Sequence, residues 1–126
     1  MGNLLTNHYQ EIWIFNKSNF SAEILEAKIL ENLNSLPYYE IITDPEEIDT
    51  MFPNEKPNQK DLEEASKIIY AVFISSRFGY VDDIIFLIND KKESCSNVIV
   101  RSTSRKGLCD FRKNKKHVRE IMNFIY

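Results

Sequence analysis

The sequence is poor in the residues that most often carry chemistry: three glycines, two cysteines, two histidines and one tryptophan among 126 residues. With glycine confined to positions 2, 79 and 107, neither a G-x-G-x-x-G turn nor a P-loop can be written. Cys95 and Cys109 have no C-x-x-C spacing and no histidine adjoins Cys95, so zinc is not expected and both read as free thiols, reduced in an intracellular setting. His8 and His117 fall in no recognisable nucleophile-base-carboxylate motif. No catalytic residue, metal or cofactor is therefore expected. No run of about eighteen apolar residues occurs, and the start lacks the basic-then-apolar layout of an export signal. Neither a transmembrane segment nor secretion is expected, and the expected location is cytoplasmic.

What is present is enough apolar material, 43% of the chain, for one domain over 1–126 with a real core. Ile12 and Ile14 alternate with Glu11, Trp13 and Phe15, which predicts a strand over 10–15 with apolar groups on both faces, as in an inner strand. Ile24, Leu25, Lys28, Ile29, Asn32 and Leu33 follow the helical period, with Ser21 as N-cap and Pro37 as stop. A second strand is expected at 38–43. The charged stretch 44–66 holds three prolines and no sustained period, so it reads as an excursion with a helical turn at 45–51 and another at 61–66. Strands at 67–75, 80–88 and 97–103, joined by short connections, predict an antiparallel meander. Val118, Ile121, Met122 and Ile125 mark a last helix over 115–125, capped by Asn114. The fold class is thus α+β: an antiparallel sheet of four or five strands with two helices packed on one face.

Charge is distributed unevenly. Residues 1–66 hold 4 Lys/Arg against 13 Asp/Glu, and residues 67–126 hold 12 against 6. On the last strand Arg101 and Arg105 share a face, because side chains alternate with period two. The preceding strand offers Asp83 near its start, so an ion pair of Asp83 with either arginine fits the hairpin. An arginine left unpaired there could grip a phosphate or carboxylate, with Asn114 at the following helix start. Asp82 and Asp83 lie on opposite faces of a strand and make a poor acid/base dyad. Gly79 and Gly107 follow strand-like segments, where a positive φ favours glycine.

Phe78, Asp82 and Asp83, followed by Arg101, Ser102, Ser104, Arg105, Gly107, Asp110 and Asn114, stand at the spacing of a family motif. On these residues the chain resembles DUF1499, a family of proteins of unknown function, over about residues 67–120 and loosely the helix before. The resemblance implies no activity. Cys109 stands where the family pattern has serine and Arg112 where it has glycine, and the 44–66 excursion looks like an addition.

Eight of the sixteen Lys/Arg residues fall between 101 and 119. Arg112, Lys113, Lys115, Lys116 and Arg119 form a basic run on the last helix. Nucleic acid is not the expected partner, since Tyr70 and Phe73 point to opposite faces rather than forming one stacking platform, and the sequence pI is near 5.4. Met1-Gly2-Asn3-Leu4-Leu5-Thr6 fits the N-myristoylation pattern at Gly2. A single acyl chain anchors only marginally, and a basic patch is a recognised second signal. The expected function is a non-enzymatic binding or adaptor domain at an intracellular membrane surface, myristoylated at Gly2 and docked by the basic run, with an anionic membrane or a protein as partner. The alternative is a small anionic-ligand-binding domain or enzyme centred on Arg101, Arg105, Asp83 and Asn114.

Overall fold

The computed structural model of the chain describes residues 8–51, 57–74, 81–104 and 111–125, without the side chains of His8, Thr50, Met51, Phe111, Arg112 and Lys113. Along the chain run β1 (His8–Asn16), α1 (Ala22–Ser35), β2 (Tyr39–Ile42), α2 (Pro45–Met51), α3 (Gln59–Glu64), β3 (Lys67–Ile74), β4 (Val81–Asn89), β5 (Cys95–Ser104) and α4 (Phe111–Met122). The five strands form one antiparallel sheet in the order β1-β5-β4-β3-β2. The α+β class is therefore as expected, with α1 and α4 together on one face, here called inner.

Local signals explain the elements. The Ser21 side chain accepts from the Ile24 N–H at 3.3 Å, and the Asp90 carboxylate accepts from Ala22 N–H at 3.0 Å, so two donors at the start of α1 are satisfied. Pro37 disfavours helical backbone at Leu36, which is extended at φ −102, ψ 126 and ends the helix. Ala22, Leu25, Ile29 and Leu33 are its buried stripe. They pack on Ile69, Ala71, Ile84, Phe86 and Val100 of the sheet, together with Val118, Ile121 and Met122 of α4. Each large aliphatic buried in this way contributes about 1.5–3 kcal/mol.

β4 is the central strand, and every residue from Asp82 to Ile88 is buried. A strand can be apolar without alternation only when both faces are covered. The second cover comes from the charged excursion: Ile48 of α2 and Ala65 after α3 pack with Ile85, Leu87, Ile68, Tyr70 and Ile99 on the outer face. The 44–66 segment thus closes a second, smaller core rather than looping away from the domain.

Two expectations are corrected. β1 is an edge strand, not an inner one, because it pairs with β5 alone, and Ile12 and Ile14 stand 56% and 64% exposed. Tyr9, Glu11, Trp13 and Phe15 face the helices, so the apolar residues on its other side reflect an uncovered outer face. The last helix begins at Phe111 rather than near 115, which places Asn114 inside it and not at its cap. Gly79 and Gly107 lie outside the described residues.

Candidate functional site

The strand alternation that places Arg101 on the outer face also separates it from Asn114. Arg101 is taken by α3: its guanidinium donates to both Asp61 carboxylate oxygens at 2.8 and 3.2 Å, and its Nε donates to Gln10 Oε1 of β1 at 2.9 Å. Asp61 closes the capping box of α3 as well, accepting from Asn58 N–H at 3.0 Å while the Asn58 side chain accepts from Asp61 N–H at 2.8 Å. The hydrogen-bonded Arg101 guanidinium is the main reason the Asp61 carboxyl sits below its ordinary range; burial opposes the shift, and the Asn58 N–H adds to it. One arginine thereby pins the excursion to the sheet. Its ion pair is with Asp61 and not with Asp83. Asp83 is buried on the same outer face, opposite Thr103 and Val72. Arg105 lies outside the described residues, so of the expected cluster Arg101 and Asp83 share a face and Asn114 belongs to the other.

On the inner face, register alone assembles a polar row. Tyr39 of β2 stands opposite Phe73, Phe73 opposite Asp82, and Asp82 opposite Ser104. Neighbouring strands lie about 4.8 Å apart, so these four side chains form one line across the sheet. Above the line sits α4, whose Asn114 and His117, three residues apart, project together toward it. Both are almost wholly buried, Asn114 at 0% and His117 at 5% exposure, as is Asp82 at 0%.

Ser102 donates its hydroxyl to Asn114 Oδ1 at 2.7 Å, and Asn114 Nδ2 donates to Ser104 Oγ at 3.4 Å. The His117 ring stacks over Phe73 with centroids 3.8 Å apart, its Nδ1 is 3.2 Å from the Tyr39 hydroxyl, and its Nε2 is 3.1 Å from Asp82 Oδ2. The Nε2 contact is at ion-pair distance but lies off the hydrogen-bond line, leaving this buried nitrogen without an aligned partner. Burial, then the adjacent Glu120 carboxylate, and last Asp82 hold the Tyr39 phenol far above its ordinary pKa, so it keeps its proton. A carboxylate, an imidazole and a phenol thus stand in line from the core to half-buried Tyr39.

Sequence reasoning missed His117, which has no motif around it. The signal was its position: with Asn114 it puts two polar residues in the apolar stripe of an amphipathic helix, and a buried polar pair needs polar partners on the facing sheet.

The opposite flank of α4 carries the basic run. Lys116 and Arg119 are exposed and Lys115 is half-buried, while the side chains of Arg112 and Lys113 lie outside the described ones. Arg119 is partly committed, with Nε 3.5 Å from Glu11 Oε2, and the same carboxylate oxygen accepts from the Tyr9 hydroxyl. The helix holds five Lys/Arg against Glu120, a balance of +4 with His117 neutral. Across the sheet, α2 holds Glu46, Glu47 and Asp49, a balance of −3, and α3 holds Lys60 against Asp61, Glu63 and Glu64, a balance of −2. Beside α4, α1 carries Lys28 against Glu23, Glu26 and Glu31, so of the two inner-face helices α4 alone has a net positive charge.

Among the described residues, no group of three or more His, Cys, Asp or Glu side chains is placed to hold a metal ion, and no helix is long and apolar enough to cross a membrane. Cys95 is a free thiol. Gly2 and Cys109 lie outside the described residues. No curated protein matches the chain. The model of a family described as proteins of unknown function matches residues 6–125, well beyond the 67–120 segment of the motif and across the 44–66 excursion. The chain therefore belongs to the DUF1499 family.

Proposed function

We propose that the protein is a non-enzymatic binding or adaptor domain that works at an anionic intracellular membrane surface and meets it through the exposed flank of α4. The observation that carries the reading is the charge division across the sheet: +4 on α4, against −3 and −2 on the two helices of the outer face. Such a division orients a domain, with α4 toward negative headgroups and the acidic helices away. Each lysine or arginine near the headgroups contributes about 1 kcal/mol, so the helix alone gives weak, salt-sensitive attachment. Myristoylation at Gly2 would supply the second signal that stable anchoring needs.

Sedimentation with vesicles containing phosphatidylserine, and with neutral vesicles, tests this directly. Lys115→Glu with Lys116→Glu should weaken binding to the anionic vesicles by roughly tenfold or more and leave neutral ones unaffected. Equal binding to both vesicle types, or no effect of the double reversal, would remove the membrane reading.

A second reading, a small-ligand-binding domain or enzyme, is favoured by the buried His117 Nε2 that lacks an aligned hydrogen bond. Its centre on the inner face is then Asp82, His117, Tyr39 and Asn114. The described part of that centre holds the carboxyl groups of Asp82 and Glu120 and no lysine or arginine. Titrating the protein with millimolar phosphate while following the His117 ring and Asn114 amide by NMR separates the two. A saturable shift at both groups supports a ligand centre, and unchanged spectra remove the anion-binding form of it.

A further inference from the structure

β2 is only four residues long, and its early end leaves a cleft at the edge of the sheet. After Ile42 the chain turns away into α2, where the Asp44 side chain accepts from Glu46 N–H at 3.0 Å and its carbonyl accepts from Ile48 N–H at 3.0 Å. Pro45, which cannot donate to a ladder, helps stop the strand there. β3 continues past this point. Register places Tyr70 opposite Ile42, the last residue of β2, so Lys67, Ile68 and Ile69 have no residue of β2 beside them.

The direction of the unused backbone groups follows from alternation. Ile74 donates its N–H to the Tyr38 carbonyl at 2.9 Å, on the β2 side. Residues two apart on an antiparallel strand point the same way, so Val72, Tyr70 and Ile68 also point toward β2. Val72 and Tyr70 have Glu40 and Ile42 opposite them; Ile68 has no strand residue opposite. Among the described residues, its N–H and C=O form an open rung.

That rung faces a cleft of about 290 Å³. Its walls are mostly apolar, chiefly Leu30 of α1, Ile41 of β2, Ile48 of α2 and Ile68 itself, with Thr43 and Tyr70 beside them, and among the described residues Glu26 is the one charged residue that lines it. An apolar cavity of about 150 Å³ takes a benzene ring. Roughly twice that space suits a branched aliphatic side chain together with its own backbone. An open main-chain rung and an apolar socket are the two recognition elements of strand addition, in which main-chain hydrogen bonds give affinity and pockets for alternate side chains give specificity, and the Glu26 carboxylate adds a preference for a basic residue.

We propose that this cleft docks an extended apolar peptide segment, which adds to β3 as the continuation of β2, exchanges main-chain hydrogen bonds with Ile68, and places a basic residue against Glu26. The cleft uses no residue of α4, so the inference stands independently of the membrane reading.

The test is an NMR titration of the full ¹⁵N-labelled chain with the capped tripeptide acetyl-Ile-Val-Lys-amide, compared with the same peptide N-methylated at Val and with one ending in Glu. The expected result is a saturable downfield shift of the Ile68 amide. N-methylation should weaken binding by about tenfold, the loss of one main-chain hydrogen bond. The Lys peptide should bind severalfold more tightly than the Glu peptide, and Glu26→Gln, a change on the rim that does not threaten folding, should erase that preference. Absence of a saturable shift at Ile68 would overturn the proposal. So would equal binding of the N-methylated peptide, or of a fatty alcohol, which would assign the cleft to a small apolar ligand.

Discussion

Replacing Arg101 by alanine should destabilise the protein by about 2–3 kcal/mol, because the guanidinium holds three elements together. It donates twice to Asp61 of α3, at 2.8 and 3.2 Å, and once to Gln10 of β1, at 2.9 Å, while sitting on β5. Hydrogen bonds to charged groups are each worth about 1.5–3 kcal/mol in mutational series, so a simple sum of the three would run to about 4.5–9 kcal/mol. The sum is too large for two reasons. The paired side chains keep 17% and 13% of their exposure, so water and salt screen the pair, and the wild-type arginine bears a rotamer-entropy cost of up to roughly 2 kcal/mol that alanine does not. Asp61 also keeps its bonds with Asn58, so no carboxylate is left stranded. For a chain of this length, 1 kcal/mol moves the thermal midpoint by about 3–5 °C, which predicts a fall of roughly 6–15 °C. The assay is calorimetric or circular-dichroism melting of the single variants Arg101→Ala and Asp61→Ala and of the double variant. A double-mutant cycle should return a coupling of about 1–2 kcal/mol, whereas Lys116→Ala should stay within about 0.5 kcal/mol. An Arg101→Ala shift no larger than that of Lys116→Ala, or a coupling near zero, would refute the scaffold role and return Arg101 to the list of free cations.

Other outcomes follow from the same structure. Asn114→Ala should cost about 2–4 kcal/mol, since it strands the buried Ser102 hydroxyl, and chemical denaturation measures it. Asp61 and Asp90 have carboxyl groups held below the ordinary value of about 3.9, chiefly by Arg101 and by the Ala22 N–H respectively. Their contribution is complete above that value and is lost as pH falls from about 4 through the folded-state pKa values, so Asp90→Asn should flatten the acid limb of the stability curve without moving its neutral plateau. Tyr9 is pushed up to about 12, by burial first and then by Glu11. Phenolate absorbance should therefore show it titrating after ordinary tyrosines near 10, with its contribution to stability complete below that pH and lost as pH rises through 12. Gly2→Ala should abolish any myristate incorporation in a cell-free acylation assay without changing the melting midpoint; undiminished labelling would remove the lipid anchor from the proposal.

Much of the architecture was legible in the chain because it rests on short-range rules. The spacing of Leu25, Ile29 and Leu33, the Ser21 cap and the Pro37 stop specify α1 locally, and the short links after β3 and β4 force antiparallel neighbours. The clustering of basic residues on one helix was equally plain. What the sequence could not show is which surfaces meet. The apolar run Ile84–Ile88 required cover on both faces, yet only the fold revealed that the charged 44–66 stretch supplies it. The edge position of β1 was hidden because Ile12 and Ile14 read the same whether a face is buried or bare. The pairing of Arg101 depended on a helix forty residues away, and proximity across that distance comes from topology rather than from local preference. The same is true of the inner row. Tyr39, Phe73, Asp82 and Ser104 come from four strands and are aligned by register alone, and His117 meets them only because α4 docks with its polar pair inward. Local periodicity determines which residues share a face of one element; the long-range pairing of elements decides which faces become a site.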